Sequence, residues 1–188
     1  MKYLEPKKIV LIGASTGGPG QIQKIINSLP KLQNTTIVIA QHMVNGFMDS
    51  FANRFQNISH NNISVVKNNQ IFENNNIYIC DGETKLTNNN FSKTDCSLDS
   101  YNPNINILFN SFTQLAKGTQ ILCVILTGIG DDGVEACKNL SYNGARCITE
   151  SQESAIVDGM PSRARALVPN IEVYDINTIV KIIGKYCE

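Results

Sequence analysis

The chain has 188 residues, of which 42% are hydrophobic and 17% are charged. This length and composition suit one soluble globular domain with its own hydrophobic core. Sixteen basic and sixteen acidic residues cancel, so no net electrostatic field favours nucleic acid or an anionic membrane as a partner. No stretch approaches the ~18 consecutive apolar residues of a membrane span, and the N-terminus is too short and too polar for a signal peptide.

Strand-like and helix-like stretches alternate along the first third of the chain. KIVLIGA (8–14) is a short apolar run typical of a strand buried on both faces, and IQKIINSL (22–29) has helical spacing. A second buried strand, TIVIAQH (36–42), precedes a helix within GFMDSFANRF (46–55) and a third strand, NISVV (62–66). This order predicts βαβ units and a parallel sheet.

The stretch that follows is rich in asparagine, with runs such as KNNQIFENNNIYICDG (67–82) and KLTNNNFSKTD (85–95). Asparagine tolerates turn geometry and is unfavourable in the interior of a strand. The short segments IFE and IYIC nevertheless keep strand-like apolar spacing. We therefore predict short hairpins with polar tips inside the same domain, rather than a disordered linker.

The alternation resumes in the last third of the chain. ILCVILTG (121–128) and ARCITE (145–150) are predicted strands, and DGVEACKNLSYNG (132–144) is a predicted helix between them. Two more helices are predicted at 162–167 and within DINTIVKIIGKY (175–186). The pattern as a whole predicts an α/β fold with helices on both faces of a parallel sheet.

The six cysteines are spread along the chain without a close pair. A secreted disulfide framework or a zinc site favours clustered spacings. We therefore expect reduced thiols, as in a cytoplasm.

The first predicted strand runs into a glycine-rich turn, Gly13-Ala14-Ser15-Thr16-Gly17. The turn lacks the Gly-x-Gly-x-x-Gly spacing of a dinucleotide site and the Gly-Lys-Ser/Thr triplet of a phosphate loop. Its Gly-x-Ser-x-Gly spacing fits a nucleophile elbow, in which a sharp turn between strand and helix exposes the serine hydroxyl. The alternative is a plain turn in which Ser15 or Thr16 caps the helix.

A nucleophilic serine needs a base, which is usually histidine. His60 lies in a polar loop and is expected at the surface, whereas His42 ends the second strand. The carboxyl ends of parallel strands share one edge, so Ser15 and His42 lie side by side if the first two strands are neighbours. A later strand ends in a turn with Asp131 and Asp132, and either carboxylate could orient His42 or stabilise the next helix.

Four motifs occur in an order and at spacings that are specific for one family. They are IGASTGGP (12–19), IAQHM followed by GF (39–47), VILTGIGDDG (124–133) and DGMPSRA (158–164). Together they resemble the catalytic domain of the chemotaxis receptor-glutamate methylesterase, the CheB type. The segments IYICDG and INILFNSFTQLA also resemble family segments, and the resemblance covers nearly the whole chain.

This resemblance implies a doubly wound, mainly parallel sheet with a small antiparallel hairpin addition. It also implies a catalytic triad of Ser15, His42 and Asp132, because Asp132 directly precedes Gly133 in the family's Gly-x-Gly-x-Asp-Gly pattern. The implied reaction is hydrolysis of glutamate γ-methyl esters on the cytoplasmic helices of methyl-accepting chemotaxis receptors, with release of methanol. Some members of the family also deamidate receptor glutamines.

The backbone groups of Thr16 and Ile129 are candidate donors to the oxyanion, although the family often has methionine where Ile129 stands. The resemblance implies no metal or organic cofactor. We expect a cytoplasmic monomer that neither binds nucleic acid nor inserts into a membrane.

Residues 1–188 are expected to form a single catalytic domain. About eight residues precede the first strand, whereas the receiver domain that usually precedes the family's catalytic domain needs ~100 residues.

Two other functions are alternatives to the receptor methylesterase. Tyr101-Asn102-Pro103-Asn104 stands where the family has a basic His-Arg-Pro-Ser segment, which permits an esterase or amidase that acts on a different protein. The glycine-rich loops alone would also suit a non-catalytic βαβ module that binds a ligand.

Overall fold

The structure, a computed structural model, describes residues 6–44, 46–95 and 101–188. The strands in these ranges are β1 (Lys8–Ala14), β2 (Thr35–Gln41), β3 (Asn62–Val65), β4 (Gln70–Ile71), β5 (Asn76–Ile79), β6 (Glu83–Thr87), β7 (Asn90–Thr94), β8 (Gln120–Ile125), β9 (Arg146–Glu150) and β10 (Glu172–Tyr174). The helices are α1 (Gly18–Ser28), α2 (Met48–Gln56), α3 (Ile105–Ser111), α4 (Val134–Tyr142), α5 (Met160–Leu167) and α6 (Ile176–Cys187). A short 3₁₀ helix, Leu115–Lys117, follows α3.

Within the described ranges, seven strands form one parallel sheet in the order β10-β9-β8-β1-β2-β5-β3. The central strand β1 pairs with β2 on one side and β8 on the other, so that Ala14 lies opposite Gln41 and Gly13 opposite Ile125. The carboxyl ends of these three strands therefore lie together at one edge of the sheet, where sites form in folds of this kind.

The strand β1 is buried on both faces because its apolar residues alternate between two layers of helices. Ile9 and Leu11 pack with residues of α3, α4 and α5, whereas Val10 and Ile12 pack with residues of α1, α2 and α6. All four side chains are at most 1% exposed. Burying a side chain of this size contributes ~1.5–3 kcal/mol, so the two layers hold the central strand firmly in place.

The predicted α/β fold, a doubly wound parallel sheet with a small antiparallel addition, is confirmed. The addition contains the hairpin β6–β7, whose turn is formed by Asn88 and Asn89 at φ of 48° and 63°. Asparagine enters this left-handed region more readily than most residues. The asparagine-rich stretch thus supplies hairpin turns, as predicted.

One part of the hairpin prediction is wrong. The segment IYIC contains β5, which lies inside the main sheet between β2 and β3 and runs parallel to both. The residues Ile77, Tyr78 and Ile79 are at most 1% exposed, because helices or the small sheet cover both faces of this strand. The asparagine on either side suggested a surface hairpin, but burial in the sheet determined the pairing.

Two elements were not predicted as strand or helix from the local pattern, β10 and α3. The strand β10 has only three residues, and α3 begins with the side chain of Asn104 accepting from the Ile107 N–H (2.9 Å).

Throughout the described ranges, each helix is too short or too polar to cross a bilayer.

Candidate active site

Ser15 lies in the turn between β1 and α1, at the carboxyl edge of the sheet. Its N–H donates to the Thr127 carbonyl (3.0 Å), and its own carbonyl accepts from the Gly18 N–H (2.9 Å) and the Gln41 side-chain amide (2.8 Å). These bonds tie the turn to the chain beyond β8 and to the end of β2. Gly17 has a φ of 84°, a left-handed conformation that favours glycine.

The surroundings of this turn require small residues. A β-carbon added at Gly128 would lie 2.6 Å from the β-carbon of Ser15, and one added at Gly18 would collide with the side chain of Gln41. The N-cap position of α1 is Gly17, and no side chain caps the helix. The alternative in which Ser15 or Thr16 acts as a helix cap is therefore wrong.

His42 comes directly after β2 and lies beside the serine turn. Its N–H donates to the Ala14 carbonyl (2.9 Å), which continues the pairing of β1 and β2 beyond Gln41. The side chain of His42 is 12% exposed, and its Nε2 lies 2.8 Å from Oδ2 of Asp132. His60, by contrast, is exposed, as the sequence predicts.

Asp132 is the aspartate that contacts His42, whereas Asp131 is exposed to solvent. Oδ2 of Asp132 also accepts from the Ile105 N–H (2.8 Å), and Oδ1 accepts from the Asn106 N–H (2.9 Å). These two N–H groups lie in the first turn of α3. The N–H groups at the start of a helix have no partner within the helix and favour an anion. The carboxylate is thus fixed on one side by backbone and holds the imidazole on the other.

An aromatic ring covers one face of the His42 imidazole. The rings of His42 and Tyr101 are stacked, with centroids 4.7 Å apart and an angle of 3° between their planes. Asp132 therefore contacts the edge of the imidazole while Tyr101 contacts its face. The sequence analysis noted Tyr101 only as part of a segment that departs from the family, and it assigned this residue no role.

The candidate oxyanion donors lie on two turns, Thr16 on the turn that carries Ser15 and Ile129 on the turn after β8, next to Ser15. The Thr16 carbonyl accepts from the hydroxyl of Thr127 (2.9 Å), which joins the two turns. The side chain of Ile129 is 62% exposed, so the structure gives this side chain no packing role beside Ser15.

The Gly-Met-Pro motif holds the turn that carries Ile129. The N–H groups of Gly159 and Met160 both donate to the carbonyl of Gly128, at 3.1 and 2.8 Å. A β-carbon at Gly159 would lie 2.6 Å from that same carbonyl oxygen, so the two segments approach too closely for a side chain. The motif was recognised in the sequence without a role, and the structure shows that it supports the turn next to Ser15.

Glu150, at the end of β9, is a fully buried carboxylate that the sequence analysis missed. Its Oε1 accepts from the Gln21 amide (2.6 Å) and the Ser154 hydroxyl (2.8 Å), and its Oε2 accepts from the Thr127 N–H (3.0 Å). A buried carboxylate is tolerated when it is hydrogen-bonded in this way. Glu150 thereby joins α1 and the loop after β9 to Thr127, which in turn bonds to Ser15.

One group of cysteines in the described residues has a geometry that could hold a metal ion. The sulfur atoms of Cys123, Cys137 and Cys147 lie within 4.8 Å of one another and are buried between β8, β9 and α4. The sequence analysis missed this group because the three residues are far apart in the chain. Burial raises the pKa of the Cys123 thiol well above its ordinary value, so this thiol stays protonated and packs as a small apolar side chain.

The chain was compared with known proteins, and a family model described as "CheB methylesterase" matches residues 10–183. The protein-glutamate methylesterase/protein-glutamine glutaminase 2 of Saccharophagus degradans is 34% identical, over 98% of this chain and 55% of the relative. The protein-glutamate methylesterase/protein-glutamine glutaminase of Bacillus subtilis is 35% identical, over 84% of this chain and 46% of the relative. The chain thus spans about half the length of the curated relatives it matches.

A solved structure of a catalytic domain is also similar to this chain. The crystal structure of the Thermotoga maritima CheB methylesterase catalytic domain superposes with a TM-score of 0.83 at 28% sequence identity. The match covers 95% of this chain and 97% of that domain. With the family model, the relatives and the solved structure in agreement, the chain belongs to the CheB methylesterase family.

Proposed function

We propose that this chain hydrolyses glutamate γ-methyl esters on chemoreceptors, with Ser15, His42 and Asp132 as its catalytic triad. The observation that carries the proposal is the 2.8 Å hydrogen bond between Nε2 of His42 and Oδ2 of Asp132, beside the turn that presents Ser15. The names of the relatives, protein-glutamate methylesterase/protein-glutamine glutaminase, support glutamate esters and glutamine amides as the substrates.

The first half of the reaction acylates the serine. When Nε2–H of His42 donates to Asp132, Nδ1 is the basic nitrogen of the ring. Nδ1 takes the proton of the Ser15 hydroxyl while the serine oxygen attacks the ester carbonyl, and the carbonyl electron pair moves onto its oxygen. Asp132 stabilises the resulting imidazolium without taking the proton itself.

The tetrahedral oxyanion needs hydrogen-bond donors that are in place before the reaction. The backbone N–H groups of Thr16 and Ile129 are our proposed donors, and a well-placed donor of this kind is worth ~3 kcal/mol. The bonds of Gly159 and Met160 to Gly128 hold the second of these turns. This support keeps the donor from having to reorganise as the negative charge develops.

The second half of the reaction releases the products. Collapse of the oxyanion breaks the bond to methoxide, which takes the proton from His42 and leaves as methanol. Water then attacks the acyl group on Ser15, His42 takes the proton of that water, and the serine oxygen leaves with it to give glutamate. A glutamine substrate passes through the same steps and releases ammonia in place of methanol.

Exposed apolar side chains surround the edge of the sheet where this chemistry is proposed. Val44, Phe47, Ile129 and Ile156 lie on loops at this edge and are 60–73% exposed. A group of exposed apolar residues is typical of a surface that binds another protein. It supports a receptor helix as the substrate. We further propose that a monomer of this chain binds that helix in the cytoplasm.

Release of methanol from tritium-methylated receptor membranes tests the proposal. Wild-type protein is expected to release labelled methanol, Ser15→Ala is expected to release almost none, and the control Ser28→Ala at the exposed end of α1 is expected to match wild type. A fluorophosphonate probe is expected to label Ser15 only in folded protein. Labelling without methanol release would indicate an esterase or amidase for a different protein, and absence of labelling would indicate a non-catalytic module.

A further inference from the structure

The most informative contact outside the proposed triad is the stack of Tyr101 on His42. With the ring centroids 4.7 Å apart and the planes 3° from parallel, the phenol ring lies against one face of the imidazole. The same imidazole is bound at its edge by Asp132. A ring that is held at its edge and at one face has little freedom to rotate away from Ser15.

Hydrogen bonds of the neighbouring residue fix Tyr101 to the segment after β2 that carries His42. The neighbouring Asn102 accepts from the Met43 N–H through its carbonyl (2.9 Å) and donates to the Met43 carbonyl through its side chain (3.3 Å). Its side-chain oxygen also accepts from the Gly82 N–H (2.8 Å). Because Met43 follows His42 directly, these bonds hold the two stacked rings in a fixed relation.

The stack also places an aromatic face next to the positive charge that forms on His42 during the reaction. His42 becomes a cation in each half of the proposed reaction, and the face of an aromatic ring attracts a cation. The carboxylate of Asp132, from the turn before α4, and the phenol of Tyr101, from the segment before α3, both contact its ring. Both groups are therefore placed beside the positive charge that forms on the ring during the reaction.

The geometry points to Tyr101 as a positioning residue for the proposed esterase: its ring holds His42 in place and stabilises the imidazolium. This inference rests on the proposed function, because it assigns a role in the same reaction. It also gives a function to the segment Tyr101-Asn102-Pro103-Asn104, in which Asn102 anchors the stack and Asn104 caps the helix that binds Asp132.

Two variants of Tyr101 separate the ring from its hydroxyl. Tyr101→Phe keeps the stack and is expected to retain wild-type turnover, whereas Tyr101→Leu removes the aromatic face. For Tyr101→Leu we expect kcat on methylated receptors to fall ~3- to 30-fold, the range for a cation–π contact, with KM nearly unchanged. Tyr142→Leu, at an exposed tyrosine on α4, is the matched control and is expected to behave as wild type.

An NMR spectrum of the histidines tests the stack without any substrate. The chain has two histidines, so the imidazole proton signals report on His42 and use the exposed His60 as an internal reference. An aromatic ring that lies parallel to the imidazole shifts its proton signals, so Tyr101→Leu is expected to move the signals of His42 toward those of an unstacked histidine and to leave those of His60 unchanged. Tyr101→Phe is expected to leave both sets of signals in place.

The outcomes distinguish this inference from the proposed function. If Tyr101→Leu keeps the NMR signals of His42 and the wild-type kcat, the positioning role is wrong, whatever the substrate is. If kcat stays constant and KM rises, Tyr101 contacts the substrate instead, which also overturns the inference. If wild-type Ser15 is not labelled by a fluorophosphonate, the proposed function fails, while the NMR signals of His42 still report on the stack.

Discussion

Replacement of Asp132 by asparagine tests the centre of the proposed site most directly. The carboxylate accepts from His42 Nε2 and the Ile105 N–H through one oxygen, and from the Asn106 N–H through the other. An asparagine side chain has one oxygen and one NH₂ group, so it accepts hydrogen bonds at one end only. Its NH₂ group must face either the Asn106 N–H or both His42 and the Ile105 N–H.

Both orientations of the asparagine place a donor against a donor. A buried polar group left without its partner costs ~1–3 kcal/mol, and we expect the free energy of unfolding to fall by about that amount. With the NH₂ group toward His42, the imidazole accepts at Nε2 and carries its proton on Nδ1, where it cannot take a proton from Ser15. The hydrolysis rate is expected to fall ~10⁴-fold, which corresponds to about 5 kcal/mol of the barrier.

The assay is steady-state release of methanol from methylated receptor membranes, together with urea unfolding of each variant. Asp131→Asn is the matched control, because it removes the charge of the neighbouring carboxylate at an exposed position. We expect it to cost no more than the effect of one charge near a helix start, ~0.3–1 kcal/mol of stability. Full turnover by Asp132→Asn, or an Asp131→Asn enzyme that is equally slow, would refute the assignment of Asp132.

Three further predictions concern other parts of the structure. Ser15→Ala should fold normally and lose ~10³–10⁶-fold in hydrolysis, with little added loss in the double variant with His42→Ala; near-normal turnover by Ser15→Ala would end the serine-hydrolase proposal. Glu150→Gln should lower the free energy of unfolding by ~1–3 kcal/mol in urea, because it places an NH₂ group against at least one of three donors; unchanged stability would contradict this account. The bidentate hydrogen bond from Arg146 lowers the pKa of Glu172 to about 2. The small contribution of this ion pair to the free energy of unfolding is therefore present above the ordinary pKa of 4.5 and is lost as the pH falls toward 2. Wild type should therefore lose more stability than Glu172→Gln between pH 5 and 2 in urea unfolding, and equal losses would show that the pair does not stabilise the fold.

Much of the fold could be predicted because its signals are local. The strands β1 and β2 appear as short apolar runs, and the helix α1 has apolar residues at helical spacing. The turn that carries Ser15 was also predictable, since a glycine-rich corner between strand and helix depends on a few neighbouring residues. The strand β5 was misplaced because its asparagine-rich flanks resemble those of a hairpin, whereas its pairing depends on strands that are distant in the sequence.

The sequence by itself determined most of the strands and helices and the positions of Ser15 and His42 at strand ends, because periodic burial and turn chemistry act over a few residues. The strand pattern alone left Asp131 and Asp132 as alternatives and the family resemblance favoured Asp132, but only the tertiary structure brings Asp132 to His42, in a bond between residues 90 positions apart. The same is true of the stacking of Tyr101 and the burial of Glu150. Each of these contacts requires segments from different parts of the chain to meet at one edge of the sheet, and the order of strands within the sheet determines which segments meet.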